Sequence, residues 1–102
     1  MSMLELVESD KEISILGEYQ AAELMMLEAN LSKCLNSLDT AKDLNLTSLK
    51  GSDSGLIALL LFYQRFANKK HWQVNLINAS AGVKGLIELS QLNDFFTLVD
   101  DK

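Results

Sequence analysis

Ser52-Asp53-Ser54-Gly55 lies in the most turn-like stretch of the chain, Leu49 to Gly55, and an apolar run follows at once from Leu56. A helix N-terminus presents unsatisfied backbone N–H groups and a partial positive charge. Hydroxyl and carboxylate side chains at that point accept from those donors as caps, and the same place can hold a phosphate. The remaining reactive residue types are sparse. His71 is the only histidine and Cys34 the only cysteine. A metal site needs several ligands, and a nucleophile needs a base and a group to orient it. His71, next to Lys69 and Lys70, therefore reads as a surface or strand-edge histidine, and Cys34 as a semi-buried structural thiol. Glu5, Glu8, Asp10 and Glu12 read as one solvated hairpin face, not as a catalytic dyad. Gly51 and Gly55 fit neither phosphate-cradling glycine motif. No catalytic constellation, metal site or cofactor site can be assembled, so the expectation is a protein that binds and does not catalyse.

The elements that would position the Ser52–Gly55 loop follow from hydrophobic spacing. Met3 to Val7 and Glu12 to Leu16 read as short strands joined by polar Ser9-Asp10-Lys11, with Ile13 and Ile15 on one face and Gly17 ending the second. Leu24, Leu27, Leu31, Leu35 and Leu38 recur at three and four residues, which predicts a helix over 21–37. Asp43 to Thr47 alternates as a strand. Leu56 to Tyr63, continued by Gln64 to Ala67, is apolar around most of its circumference and predicts a buried helix. The exposed remainder would be covered by neighbouring helices or by a partner. Trp72 to Asn78 alternates again. Ala79 to Gln91, with Val83, Leu86, Ile87 and Leu89 and a cap at Ser80, predicts a third helix. Asn93 to Val99 could form a last strand. Met25 and Met26 read as core or its margin, and Arg65, Lys69, Lys70 and Lys84 as one small basic cluster.

The order strand, strand, helix, strand, helix, strand, helix predicts an α/β domain. Its sheet would be mixed, of four or five strands, with right-handed parallel crossovers after an antiparallel hairpin and with helices mainly on one face. The chain has 102 residues, enough for one domain over 1–102. Fourteen acidic against nine basic residues give a net charge of −5, which argues against nucleic-acid backbone binding. A single cysteine suits a reducing compartment. No signal peptide is expected from the opening residues. The longest apolar run, Leu56 to Tyr63, is far short of the roughly 20 residues a bilayer-spanning helix needs. A soluble cytoplasmic chain is expected.

A strand running into Ser52-Asp53-Ser54-Gly55-Leu56 and a buried helix resembles the signature of the STAS domain, named for sulfate transporters and anti-sigma factor antagonists. There the loop reads Asp-Ser-Ser/Thr/Ala-Gly-Leu. Ile13-Ser14-Ile15-Leu16-Gly17-Glu18 is similar to the family's second strand, and Gln73 to Ser80 to the strand before its next helix. Val83, Leu86, Ile87, Glu88, Leu89, Leu92 and Phe95-Phe96 follow its later helix pattern. The resemblance covers roughly residues 4–98 and implies a STAS-like fold and a binding function. Two subfamilies consist of free-standing chains of this size. One is the anti-sigma factor antagonists, which bind a serine kinase and are switched by phosphorylation. The other is the small cytoplasmic subunit of the Mla-type ABC transporter, which moves phospholipid between bacterial membranes.

This chain departs from the phospho-switched pattern at the position that matters. The phosphoacceptor of such members is the hydroxyl residue two places before the glycine, and here that place holds Asp53. Ser52 stands where the motif has aspartate, and Ser54 takes the third position. The resemblance then implies a fixed docking loop comprising Ser52, Asp53 and Ser54. Gly55 would permit close approach, Leu56 would anchor the helix, and Lys50 and Gly51 would flank the loop. The implied partner is the ABC ATPase and, through it, the permease, which would place the chain at the cytoplasmic side of the inner membrane. A loop that does nothing beyond capping its helix is the plain alternative, and a kinase-binding antagonist is the other functional one.

Overall fold

The structure is a computed structural model and describes residues 4–100; Met3 of the first expected strand and both ends of the 1–102 span lie outside the described residues. Strand β1 (Glu5–Glu8) turns through Ser9–Lys11 into β2 (Glu12–Glu18), and Ser9 N–H closes the hairpin on the Glu12 carbonyl at 2.8 Å. A short 3-10 turn (Ala21–Glu23) leads into α1 (Leu24–Asn36). Then come β3 (Asp43–Asn45), β4 (Leu49–Lys50), α2 (Ser54–Lys69), β5 (Leu76–Ile77), α3 (Ala81–Leu89) and β6 (Leu98–Val99).

The sheet runs β1-β2-β3-β5-β6, antiparallel only between β1 and β2, with β4 also parallel to β2. The architecture expected from hydrophobic alternation, a small mixed α/β sheet with three helices, is observed, with β4 added to the expected order after β3 and with β6 closing it. It has six strands because β3 and β4 pair successive stretches of β2, with Glu12 opposite Asp43 and Gly17 opposite Leu49.

Ile13, Ile15, Leu44, Leu46 and Leu76 are buried to within 2%, while their neighbours Ser14, Leu16, Asp43, Asn45 and Ile77 are only partly covered. Period-two alternation therefore gives the sheet one sealed face. The helices supply Leu27, Leu31, Leu35, Leu56, Leu59, Leu60, Tyr63, Val83 and Ile87 to the same core. Tyr63 satisfies its hydroxyl by donating to the Lys42 carbonyl.

Several boundaries differ from the sequence reading. Leu49 and Lys50 belong to β4, not to a turn, because their backbone continues the ladder along β2. Gly17 does not end β2, which runs on to Glu18. Helix α2 begins at Ser54, two residues early, since its cap is Asp53. Only Leu76–Ile77 of the Trp72–Asn78 stretch and Leu98–Val99 of the last segment are strand; 93–95 form a turn.

Burial also corrects single residues. Met25 and Met26 are 85% and 54% exposed, so they are surface and not core. Leu89 is 82% exposed, at the end of α3 where the stripe has turned away from the sheet. Glu8 and Glu12 are not simply solvated: Glu8 pairs with Lys42 at 2.6 Å, and Glu12 accepts from Asn45 Nδ2 at 2.6 Å. Lys84 leaves the expected basic cluster and pairs with Asp100 at 3.0 Å. Of the apolar circumference of α2, Leu61, Phe62 and Phe66 stay half-buried and Ala58 is exposed.

Candidate functional site

The loop at residues 50–56 is set by β4 on one side and α2 on the other. Lys50 ends β4, is exposed, and accepts from Tyr19 N–H at 2.6 Å through its carbonyl. Gly51 follows at φ +83°, a left-handed conformation that side chains rarely adopt, and the chain turns there. Asp53 has extended backbone (φ −156°, ψ −173°), and its Oδ1 accepts from Leu56 N–H at 3.1 Å. It is the N-cap of α2 in the ordinary sense. Ser54 is the first helical residue and is exposed. Leu56 is fully buried and fixes the start of the helix in the core.

Asp53 is exposed, yet its charge is well supported. The phenol of Tyr19 beside it is the largest influence holding its carboxyl below the usual range, and the Leu56 and Gly55 N–H groups act in the same direction. Tyr19 responds in the opposite sense: loss of solvent, then the neighbouring carboxylate, push the phenol up to about 12. The Tyr19 Oη is buried and makes no hydrogen bond of regular geometry among the described residues.

Gly55 lies in this contact. A Cβ there would stand 2.8 Å from Tyr19 Oη, 2.8 Å from Leu24 Cδ2 and 3.1 Å from Asp53 Oδ1. The close approach that Gly55 permits is therefore to Tyr19 and Leu24 of its own chain. Ser52 is half-buried, and its Oγ would be 3.0 Å from a Cβ on Gly82, which opens α3 beside the cap residue Ser80. Ser80 Oγ accepts from Val83 N–H at 3.2 Å. The starts of α1, α2 and α3 thus converge around the loop, through Leu24, Ser54–Gly55 and Gly82.

Tyr19 and Gly82 are not among the residues the sequence singles out, and Leu24 reads there only as part of the apolar stripe of the first helix. Ser80 was visible as a cap, but nothing in linear spacing joins Tyr19 or Gly82 to a loop more than 25 residues away. The other reactive residues lie elsewhere. His71 is exposed at φ +60° just after α2. Cys34 is half-buried and donates Sγ–H to Glu8 Oε1 at 3.3 Å; burial first, then Glu8, push its thiol up to about 11. A thiol of that kind is a poor nucleophile at neutral pH. Among the described residues no cluster of three or more His, Cys, Asp or Glu could hold a metal ion. No helix there is long and apolar enough to cross a membrane.

A family model described as "Mlab, STAS domain" matches residues 2–100. The chain belongs to the STAS domain family. STAS proteins are generally non-enzymatic regulatory or accessory proteins. Solved structures agree at the level of fold. The unphosphorylated form of SpoIIAA, an anti-sigma factor antagonist, matches with TM-score 0.72 and 21% identity, over all of this chain and 89% of that one. The phosphorylated form of Bacillus SpoIIAA matches at 0.71 and 20%, over 100% and 92%. An anti-sigma factor antagonist from Mycobacterium paratuberculosis matches at 0.73 and 18%, over 97% and 86%. No curated protein gives a significant match.

Proposed function

We propose that this STAS protein is a non-enzymatic accessory subunit of a bacterial ABC transporter for intermembrane phospholipid transport. It docks on the cytoplasmic ATPase, and through it on the permease, using the loop from Lys50 to Gly55. Leu56 contributes only by fixing the helix beneath that loop. The chain is cytoplasmic and reaches the inner membrane through its partner; lipid is handled by other subunits.

The carrying observation is Asp53. It occupies the place where phospho-switched relatives carry a hydroxyl, caps α2, and is held ionised by Tyr19 and the helix N–H groups. A carboxylate there is a permanent charge, whereas a phosphate comes and goes and carries about −1.5 to −2. A fixed charge suits a constitutive docking surface. The family model's Mla description favours the same subfamily.

The second reading, an anti-sigma factor antagonist that binds a serine kinase, is favoured by the names of the solved structures above. On that reading Asp53 is a frozen analogue of the modified state.

Purification of the tagged protein from its native cells, with mass spectrometry of what accompanies it, separates the two. An ABC ATPase with its permease is expected; a serine kinase without them overturns the transporter reading. With the partner in hand, Asp53→Lys should weaken binding by about tenfold or more while the domain stays folded. Unchanged affinity, or stoichiometric phosphate on Ser52 or Ser54 in cells, would remove the fixed-docking role of the loop.

A further inference from the structure

Charge is divided unevenly along the chain. From Ser54 to Ile87, a third of the sequence, there is no aspartate or glutamate, and all fourteen acids lie outside it. The same stretch holds Arg65, Lys69, Lys70 and Lys84. Lys84 is paired with Asp100. Arg65 and Lys69 are exposed and form no ion pair among the described residues. A chain of net charge −5 thus carries a positive face along the last turns of α2.

Those cations border a groove. Phe62 and Phe66 stand one turn apart on α2, and Arg65 and Lys69 form a second row beside them. Between the rows lies a depression of about 240 Å³ lined by these four side chains. Both phenyl rings are half-buried, and Lys70 Nζ sits 5.8 Å from the centre of the Phe66 ring. The groove between two such rows is the seat that a ridge of a second helix takes when helices pack.

We propose that this groove receives an acidic amphipathic helix of a partner protein, with a row of bulky apolar side chains on Phe62 and Phe66 and an adjacent row of carboxylates on Arg65 and Lys69. Both rows are needed. A free anion leaves the phenyl rings in water, and a purely apolar helix strips water from two cations without supplying a counter-charge. A membrane fits less well: recognition of anionic lipid takes about four to eight clustered cations, and the acidic remainder of this chain is repelled by such a surface. A second copy lacks the acidic row, because α1 and α3 each hold one acidic residue, Glu28 and Glu88, and α2 holds none. The groove lies about 20 Å along α2 from the Asp53 cap, so this contact is additional to the loop and does not rest on it.

The probe is a tryptophan-free helical peptide of about 18 residues, long enough to hold a helix in water, with leucines and glutamates in adjacent rows at four-residue spacing. A twin peptide carries lysine for every glutamate. Trp72 is the only tryptophan in the chain and packs 6.1 Å from Phe66, so its emission reports on the groove. The full chain should bind the acidic peptide with a Kd below about 1 mM, with amide shifts centred on residues 58–70, and should not bind the basic twin. Arg65→Glu combined with Lys69→Glu should weaken binding about tenfold or more in a domain that stays folded by circular dichroism. Lys11→Glu combined with Lys33→Glu makes the same change in net charge at exposed positions outside the groove, and should leave affinity within about twofold. No saturable response to the acidic peptide, equal binding of the twin, or equal loss in both double variants would overturn the proposal. So would binding to phosphatidylglycerol vesicles in place of the peptide, or self-association that the Arg65 and Lys69 reversal abolishes.

Discussion

Replacing Gly55 by alanine sets two opposing effects against each other. Alanine is preferred over glycine inside a helix by about 1 kcal/mol, and Gly55 is the second residue of α2, so propensity alone predicts stabilisation of up to that amount. The added methyl, however, would stand 2.8 Å from both Tyr19 Oη and Leu24 Cδ2 and 3.1 Å from Asp53 Oδ1. Leu24 is half-buried and can change rotamer. Tyr19 is less free, because its Oη is buried and its main chain is tied to Lys50. Overpacking of this kind costs about 1–3 kcal/mol. The net expectation is destabilisation of roughly 0–2 kcal/mol, a fall in melting temperature of up to about 8–16 °C for a domain of this size. Tyr19→Phe removes the closest rigid atom, so the double variant should recover part of the loss, with a coupling of about 1 kcal/mol in a double-mutant cycle. Urea denaturation of the four proteins measures it. A Gly55→Ala protein more stable than the parent, or strict additivity with Tyr19→Phe, would refute the claim that Gly55 is held small by Tyr19.

Leu59, 1% exposed on the core side of α2, tests the fold: Leu59→Asp buries an unpaired charge and should abolish cooperative unfolding by circular dichroism. Cys34, with its thiol raised to about 11, should alkylate on the order of a hundredfold more slowly at pH 8 than an ordinary thiol of pKa about 8.5; a normal rate would mean that the thiol is not shielded from solvent, nor held by Glu8, as the structure has it. The two groups at the loop give opposite limbs of a pH–stability curve. Asp53 is depressed in the folded state, so its contribution is present above the unfolded carboxylate value near 3.9 and is lost as pH falls through the lower folded value. Tyr19 is raised to about 12, so its contribution is complete below the unfolded value near 10 and is lost as pH rises through 12. Asp53→Asn should flatten the acid limb, and Tyr19→Phe the alkaline one, in denaturation followed from pH 2 upward; unchanged limbs would contradict the coupling.

Much of the architecture was legible in the chain because it is written in local periodicity. The three-and-four spacing of Leu27, Leu31 and Leu35 becomes the buried face of α1, with Leu24 half-buried at its start. Ile13 and Ile15 on alternate positions become the centre of the sheet. The Ser80 and Asp53 caps sit where short polar residues precede apolar runs. Leu49–Lys50 was misread as turn because a two-residue strand carries too little alternation to register; only the neighbouring strand β2 makes it one. Met25, Met26 and Leu89 were misjudged for the complementary reason: apolar character shows that a residue can be buried, and the element's orientation decides whether it is.

The candidate site divides along the same line. The chain itself shows that a short acidic residue, Asp53, precedes an apolar helix, and the resemblance of its loop to the STAS signature sets Asp53 at the place where phospho-switched members carry a hydroxyl. Those are statements about chemical identity and near neighbours, and a linear sequence contains both. Tertiary structure decided what surrounds Asp53. The Tyr19 phenol lies beside it from the end of β2, Gly55 stays small to admit that ring, and Gly82 of α3 closes against Ser52. It also decided that Gln64, alone among the polar residues of α2, is buried, with its amide oxygen unpartnered among the described residues. Such encounters depend on how whole elements pack across the sheet, where contact energies are set by angle and distance between distant segments, and no spacing within one segment encodes them.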